Sequence, residues 1–211
     1  MSALNFILQS DALFIATDTL AISGEDGSPR NFQSKIYPLL HLDGVLCGTG
    51  IGQFITRWYV ALQSGILARN IPHLDQYVPN GLRSLHQELP LPEGKTTTIY
   101  HFGWDHAEGR FRGFAYRSEH DFRSEELQYG FGVKPQVAFT PTGTLPDDFV
   151  QLITLQRQID NARPPRERIG IGGEIHFLAM APGEISLTRC HSFEDLDLLY
   201  DQMCRRLPPP T

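Results

Sequence analysis

The sequence predicts an α+β protein arranged as a four-layer αββα sandwich, two stacked antiparallel sheets with helices outside. Three observations lead there. Short segments rich in Ile, Phe, Leu and Val come in pairs separated by turn residues, as antiparallel hairpins do. Apolar residues at helical spacing occur in blocks between those pairs. The resulting order, ββββ, αα, βββ, α, ββ, α, gathers the helices into groups. One group can cover the outer face of each sheet while the inner faces meet.

Taken in order, Leu4 to Leu8 and Ala12 to Thr17 read as paired strands joined at Gln9-Ser10-Asp11. Gly24 to Pro29 is a loop of closely packed turn residues. Lys35 to Leu40 and Gly44 to Cys47 form a second pair around the His41–Asp43 turn. Cys47-Gly48-Thr49-Gly50-Ile51-Gly52 is a glycine-rich entry to a helix whose buried face carries Ile51, Phe54, Ile55, Trp58, Leu62 and Ile66. Leu74, Tyr77, Val78, Leu82, Leu85 and Leu89 make a second helical face, with Pro79 perturbing its first turn. Lys95 to Trp104 and Arg110 to Arg117 form a hairpin about Asp105–Gly109. Leu127 to Gly132 is a short strand and Asp147 to Ile159 a helix. Gly172 to Met180 and Glu184 to Cys190 are a late hairpin, and Phe193, Leu196, Leu199, Tyr200 and Met203 a terminal amphipathic helix. Residues 1–207 are expected to form a single domain, followed by a short proline-rich tail, 208–211, that cannot continue the helix.

The chain is mildly acidic, with a formal net charge of −6, and has no basic concentration of the kind that binds nucleic acid. Its apolar runs are too short to span a membrane, and its opening residues do not read as a signal peptide. Cys47, Cys190 and Cys204 are odd in number and lack CxxC spacing, so they read as free thiols of a reducing compartment. The expected location is the cytoplasm, with no nucleic-acid and no membrane partner.

Chemistry is concentrated at the start. A hydroxyl residue, Ser2, follows the initiator, and two short strands then end in Thr17-Asp18. With Met1 removed, Ser2 would carry a nucleophile and a base on one residue, because an α-amine titrates near ~7.7–8.0. Lys35-Ile36 opens the next strand pair, and Cys47-Gly48-Thr49-Gly50 turns into the first long helix.

In this order and spacing, Ser2, Asp18, Lys35-Ile36 and the glycine turn resemble the proteasome β-subunit and HslV-like group of N-terminal nucleophile hydrolases, in its bacterial proteasome-like branch. The resemblance covers nearly the whole chain in element order and is carried by motifs in its first fifty residues. It implies that the Ser2 hydroxyl attacks a carbonyl carbon while the α-amine takes and returns the proton. It implies that Lys35 supplies a positive charge beside that amine and that Asp18 holds Lys35 charged and oriented. The backbone N–H of Gly48 would donate to the oxyanion, and its missing side chain would let substrate approach. The implied activity is hydrolysis of peptide or other amide bonds with no cofactor and no metal. The implied assembly is self-association into a dimer, ring or helical array through the helices flanking the glycine turn.

Some positions depart from the family pattern. Just past the Asp the family normally has Arg and a hydroxyl residue, where this chain has Leu20 and Ile22. The family's Gly-Ser-Gly looks like Gly130-Phe131-Gly132 here, and Phe131 cannot hydrogen-bond to the amine. Its Asp-x-x-Ser-Gly-Gly aligns with Arg168-Ile169-Gly170-Ile171-Gly172-Gly173, which keeps only the glycine pair. Those losses leave open a second reading: a non-catalytic proteasome-like subunit acting in assembly or partner binding.

Other constellations are weaker. His101 and His106 flank a hairpin turn, with His120 and Asp121 farther on, and read as hairpin residues rather than converging ligands. Asp105 and Glu108 read as turn chemistry, and His176 and His191 as structurally satisfied. Gly48-Thr49-Gly50-Ile51-Gly52 lacks the GK[ST] of a phosphate loop. Trp58 and Tyr59 read as core or subunit interface.

Overall fold

Each of the first strands becomes one because its apolar residues alternate with residues that can face a second layer. In the computed structural model, which describes residues 2–24, 26–164 and 167–205, β1 (Leu4–Leu8) pairs antiparallel with β2 (Leu13–Asp18). The next strands are β3 (Leu20–Ile22), β4 (Pro29–Phe32), β5 (Ile36–Leu39) and β6 (Gly44–Thr49). Three helices follow: α1 (Gly52–Gly65), α2 (Ile71–Asp75) and α3 (Val78–Glu88). Then come β7 (Thr98–Asp105), β8 (Arg110–Arg117), β9 (Ser124–Glu126), β10 (Gly130–Lys134) and α4 (Asp147–Asn161). The chain closes with β11 (Glu174–Ala181), β12 (Glu184–Ser192) and α5 (Leu196–Cys204).

The strands form two antiparallel five-stranded sheets, ordered β10-β1-β2-β11-β12 and β5-β6-β7-β8-β9, and a small β3-β4 hairpin. Three apolar clusters follow from the alternation. One takes Leu4, Phe6, Leu13 and Ile15 from the first sheet together with Val45, Cys47, Tyr100 and Phe102 from the second. Another joins Leu46, Ile99, Phe114 and Tyr116 to Phe54, Trp58, Leu62, Leu74 and Leu82 of the first three helices. The last joins Ala3, Ala16 and Ile175 to Phe149, Leu152 and Ile153 of α4. Along β2, Ile15 therefore belongs to the sheet–sheet cluster and Ala16 to the α4 cluster, the period-two pattern of a strand covered on both sides. Among the described residues no helix is long and apolar enough to cross a membrane.

Several expectations need correction. The second helical face is two helices: Asn70 caps α2 through its side chain, which accepts from the His73 amide, and Pro79 stands in the first turn of α3, where its missing N–H costs nothing. Part of the Gly24–Pro29 loop and the residues beyond it form β4, because Leu20 and Ala21 offer a partner edge to Phe32 and Asn31. Of the expected strand from Leu127 to Gly132 only the last three residues are extended, as the start of β10; β9 ends before it at Glu126 in the other sheet, and Leu127 lies in the crossing segment. Residues 206–211, including the expected proline-rich tail, and Met1 lie outside the described residues.

Candidate active site

The ends of β1 and β2 bring Asp18 to the amide of Ala3, the residue after Ser2. Leu4 pairs with Thr17, so Ala3 lies level with Asp18 one step beyond the ladder. Asp18 Oδ1 accepts the Ala3 amide at 3.0 Å and the Lys35 ammonium at 2.8 Å. Asp18 Oδ2 accepts the Gly172 amide at 3.2 Å. Lys35 Nζ also donates to the Leu20 carbonyl at 2.8 Å. Asp18 is 0% exposed, Lys35 5% and Ser2 8%. Burial pushes the Asp18 pKa above the ordinary carboxylate range, against the lowering effect of the Lys35 charge and of its N–H donors. Burial likewise pushes the Lys35 pKa down, against the raising effect of Asp18. A buried lysine in this setting holds its charge only through that partner.

Gly48 joins the group through register. Ile36 pairs with Cys47, so Lys35 and Gly48 are opposed one step past the end of the β5–β6 ladder. The structure gives a packing reason for glycine at this position. A Cβ at Gly48 would lie 2.9 Å from the Thr98 carbonyl oxygen and 3.0 Å from Ile55 Cδ1, under α1. The missing side chain lets the helix close on the sheet. Gly50 supplies the turn itself, with φ +115°, and the Thr97 hydroxyl accepts the Ile51 amide at 3.1 Å.

The late glycine pair also reaches the site. The Gly172 carbonyl accepts the Thr19 and Leu20 amides at 3.2 and 3.0 Å, while its own amide goes to Asp18. Gly173 has φ +79°, and a Cβ there would lie 2.5 Å from Thr19 Oγ1. The loop is held from behind by Asp160 at the end of α4, a buried carboxylate that accepts the Ile169 amide at 2.8 Å and the Gly170 amide at 2.9 Å. Arg168 turns outward, to the Arg163 carbonyl, and Ile171 joins the α4 cluster.

Phe131 is not where the sequence expectation put it. It pairs with Ile7, while Lys134 pairs with Leu4, so the segment nearest Ser2 is the end of β10 and not Gly130-Phe131-Gly132. Phe131 instead packs against Phe149, with ring centroids 5.9 Å apart. Its lack of a hydroxyl therefore has no bearing on the Ser2 amine.

Residues missed from the sequence support this corner. Asn5 and Gln156 exchange side-chain hydrogen bonds at 2.9 and 3.0 Å, both fully buried, and Gln156 also donates to the Pro135 carbonyl at 2.7 Å. That pair ties α4 to β1 and to the end of β10. Thr17 is fully buried, and its hydroxyl has no hydrogen-bond partner among the described residues. A polar residue at a strand position that period two assigns to the core was the available signal for both.

The remaining candidates fall elsewhere. His101 is buried under α1, where its Nε2 accepts the Trp58 indole N–H at 3.1 Å, and burial pushes its pKa down to about 3. His106 lies 2.6 Å from Asp43 on the surface. Among the described residues no group of three or more His, Cys, Asp or Glu converges as a metal site would require. Trp58 is core, and Tyr59 packs on Tyr37 with ring centroids 5.0 Å apart. Cys47 is buried, Cys190 half-buried and Cys204 exposed, all three as free thiols. Comparison with protein-family models gives no match to the chain, and comparison with curated proteins gives none.

Proposed function

We propose that the chain is a proteasome-like N-terminal nucleophile hydrolase, a four-layer αββα sandwich that cleaves peptide or other amide bonds with Ser2. The single observation that carries this reading is the buried Lys35–Asp18 pair, bonded through Asp18 Oδ1 to the amide of the residue after Ser2. A buried ion pair is costly to desolvate and is poor evidence of stability, so its place at the backbone amide next to Ser2 invites a chemical reason. The three apolar clusters support the layered architecture, since each joins a different pair of layers.

Once Met1 is removed, the Ser2 α-amine is the base. It takes the hydroxyl proton as Oγ bonds to the amide carbon, and the C–N bond then breaks as the proton passes to the leaving amine. Water attacks the resulting ester, with the same amine as base, and releases the acid. The Lys35 charge favours the unprotonated amine throughout. Asp18 fixes Lys35, and the Gly172 amide fixes the other oxygen of Asp18. The Gly48 N–H is the proposed oxyanion donor, where one well-placed donor contributes about 3–4 kcal/mol. No metal or organic cofactor takes part. Self-association belongs to the same reading, and the exposed Val60, Leu67 and Tyr77 beside and on the helices after the glycine turn are apolar surface suited to it.

One observation favours the second reading, a non-catalytic subunit acting in assembly or partner binding: Ser2 is only 8% exposed. A Ser2→Ala variant separates the two. Amide hydrolysis by the tag-free protein is lost in the variant under the first reading, and under the second the wild type hydrolyses nothing while both proteins assemble equally.

A further inference from the structure

Two residues along β1 from Ser2, a cavity of about 290 Å³ opens between the sheets. Leu4, Phe6, Tyr100 and Leu127 give it an apolar lining, and Lys134 and Arg117 bring two cations to it. Lys134 reaches from β10 to the opposite sheet, where its Nζ donates to the neutral Thr98 hydroxyl at 2.9 Å. Among the described residues Lys134 makes no ion pair. Arg117 Nη1 is paired with Glu125. Burial and the Arg117 charge push the Lys134 pKa down, and Glu119 pushes it up. Arg117 thus already has a carboxylate partner, while the partly buried Lys134 ammonium has only a neutral hydroxyl as its hydrogen-bond acceptor.

The position relates this cavity to the proposed nucleophile. Lys134 is the register partner of Leu4, and Leu4 belongs to the sheet–sheet cluster. Carrying the alternation back one step puts Ser2 on the same side of the strand, roughly 7 Å away at about 3.3 Å per residue. That is the reach of an acidic side chain next to a scissile amide. Resting on the hydrolase reading, we propose that Lys134 and Arg117 form an anion subsite that selects acidic peptides, seating a substrate carboxylate over the apolar lining.

The test is calorimetric binding of N-acetyl-Leu-Glu-amide and N-acetyl-Leu-Gln-amide to the full chain carrying Ser2→Ala, so that binding is read without turnover. Charge-assisted pairing predicts that the Glu peptide binds about tenfold tighter or more than the Gln peptide. Lys134→Met keeps the aliphatic stem and should bring the two affinities together, whereas Lys134→Arg should keep the preference. Arg117→Gln should weaken the preference independently, so the test survives if Lys134→Met fails to fold. Equal affinity for the two peptides, or no binding of either at millimolar concentration, overturns the subsite. Hydrolysis by the Ser2 protein separates the two claims. A preference for Glu in binding with no cleavage by the wild type keeps the subsite and removes the hydrolase. Equal cleavage of both peptides keeps the hydrolase and removes the subsite.

Discussion

The Lys35 ammonium sits 2.8 Å from Asp18 Oδ1, and the same oxygen accepts the amide of Ala3, the residue that follows Ser2. One carboxylate oxygen thus fixes the end of β1 and a buried positive charge together. Removing one member of this pair should cost far more than removing both. Lys35→Met leaves the Asp18 carboxylate buried without its counter-charge and should lower stability by about 3–5 kcal/mol. The double variant Asp18→Asn, Lys35→Met should recover a large part of that loss. Urea unfolding of the two single variants and the double variant measures the coupling, and additive losses would contradict the pairing.

Asp160 acts on Asp18 through the loop between them. It holds the Ile169 and Gly170 amides and so positions the loop whose Gly172 amide reaches Asp18. Asp160→Ala should cost about 1–3 kcal/mol, because the buried Ile169 N–H and the partly buried Gly170 N–H lose their acceptor. It should also lower turnover of an amide substrate more than it raises KM. A stability loss with unchanged turnover would show that the loop serves only the fold.

Gly48→Ala tests the packing account of that glycine. The added methyl would press on the Thr98 carbonyl oxygen and on Ile55, so stability should fall by about 1–3 kcal/mol. Combining it with Ile55→Val should return part of that loss by making room under α1. If Gly48→Ala were neutral, close approach of the helix would not be why glycine stands there.

His101 gives a pH dependence of defined sign. Its burial lowers the folded pKa from 6.5 to about 3, so between those values the unfolded chain binds a proton that the folded chain does not. Its contribution is therefore fully present above pH 6.5 and is lost as pH falls toward 3. His101→Gln keeps an acceptor for the Trp58 indole and should flatten the acid limb by up to about 1.4 kcal/mol per pH unit. Chemical denaturation at stepped pH, wild type against variant, reads the difference directly. Parallel curves would contradict the assignment.

The candidate site was legible in the sequence where polar and charged residues stand at strand ends. Ser2, Asp18 and Lys35 stand at or just outside the ends of strands that apolar alternation marks, and the Asp18–Lys35 contact comes from the packing of the two sheets those strands belong to. Elsewhere local pattern was insufficient. Gly130-Phe131-Gly132 has the look of a functional turn, yet register alone decides which part of β10 faces Ser2, and register depends on long-range pairing. For Asn5 and Thr17 the strand period marks a polar residue in the core but not its partner: Asn5 meets Gln156 151 residues on, Thr17 has no hydrogen-bond partner among the described residues, and Asp160 meets the amides of a loop that no periodic pattern marks. The break between α2 and α3 was hidden because both helices bury the same apolar stripe, and only Pro79, in the first turn of α3, marks the join.

The central claim is that Ser2, freed of Met1, is a nucleophile activated by its own amine and by Lys35. The most direct measurement is the intact mass of tag-free protein from its own host, before and after exposure to an acylating β-lactone. The account predicts loss of Met1, one adduct mapping to Ser2, and no adduct at that position in the Ser2→Ala or Lys35→Met variants. Protein that keeps Met1, or that loses Met1 and stays unmodified at Ser2 while correctly folded, would contradict it.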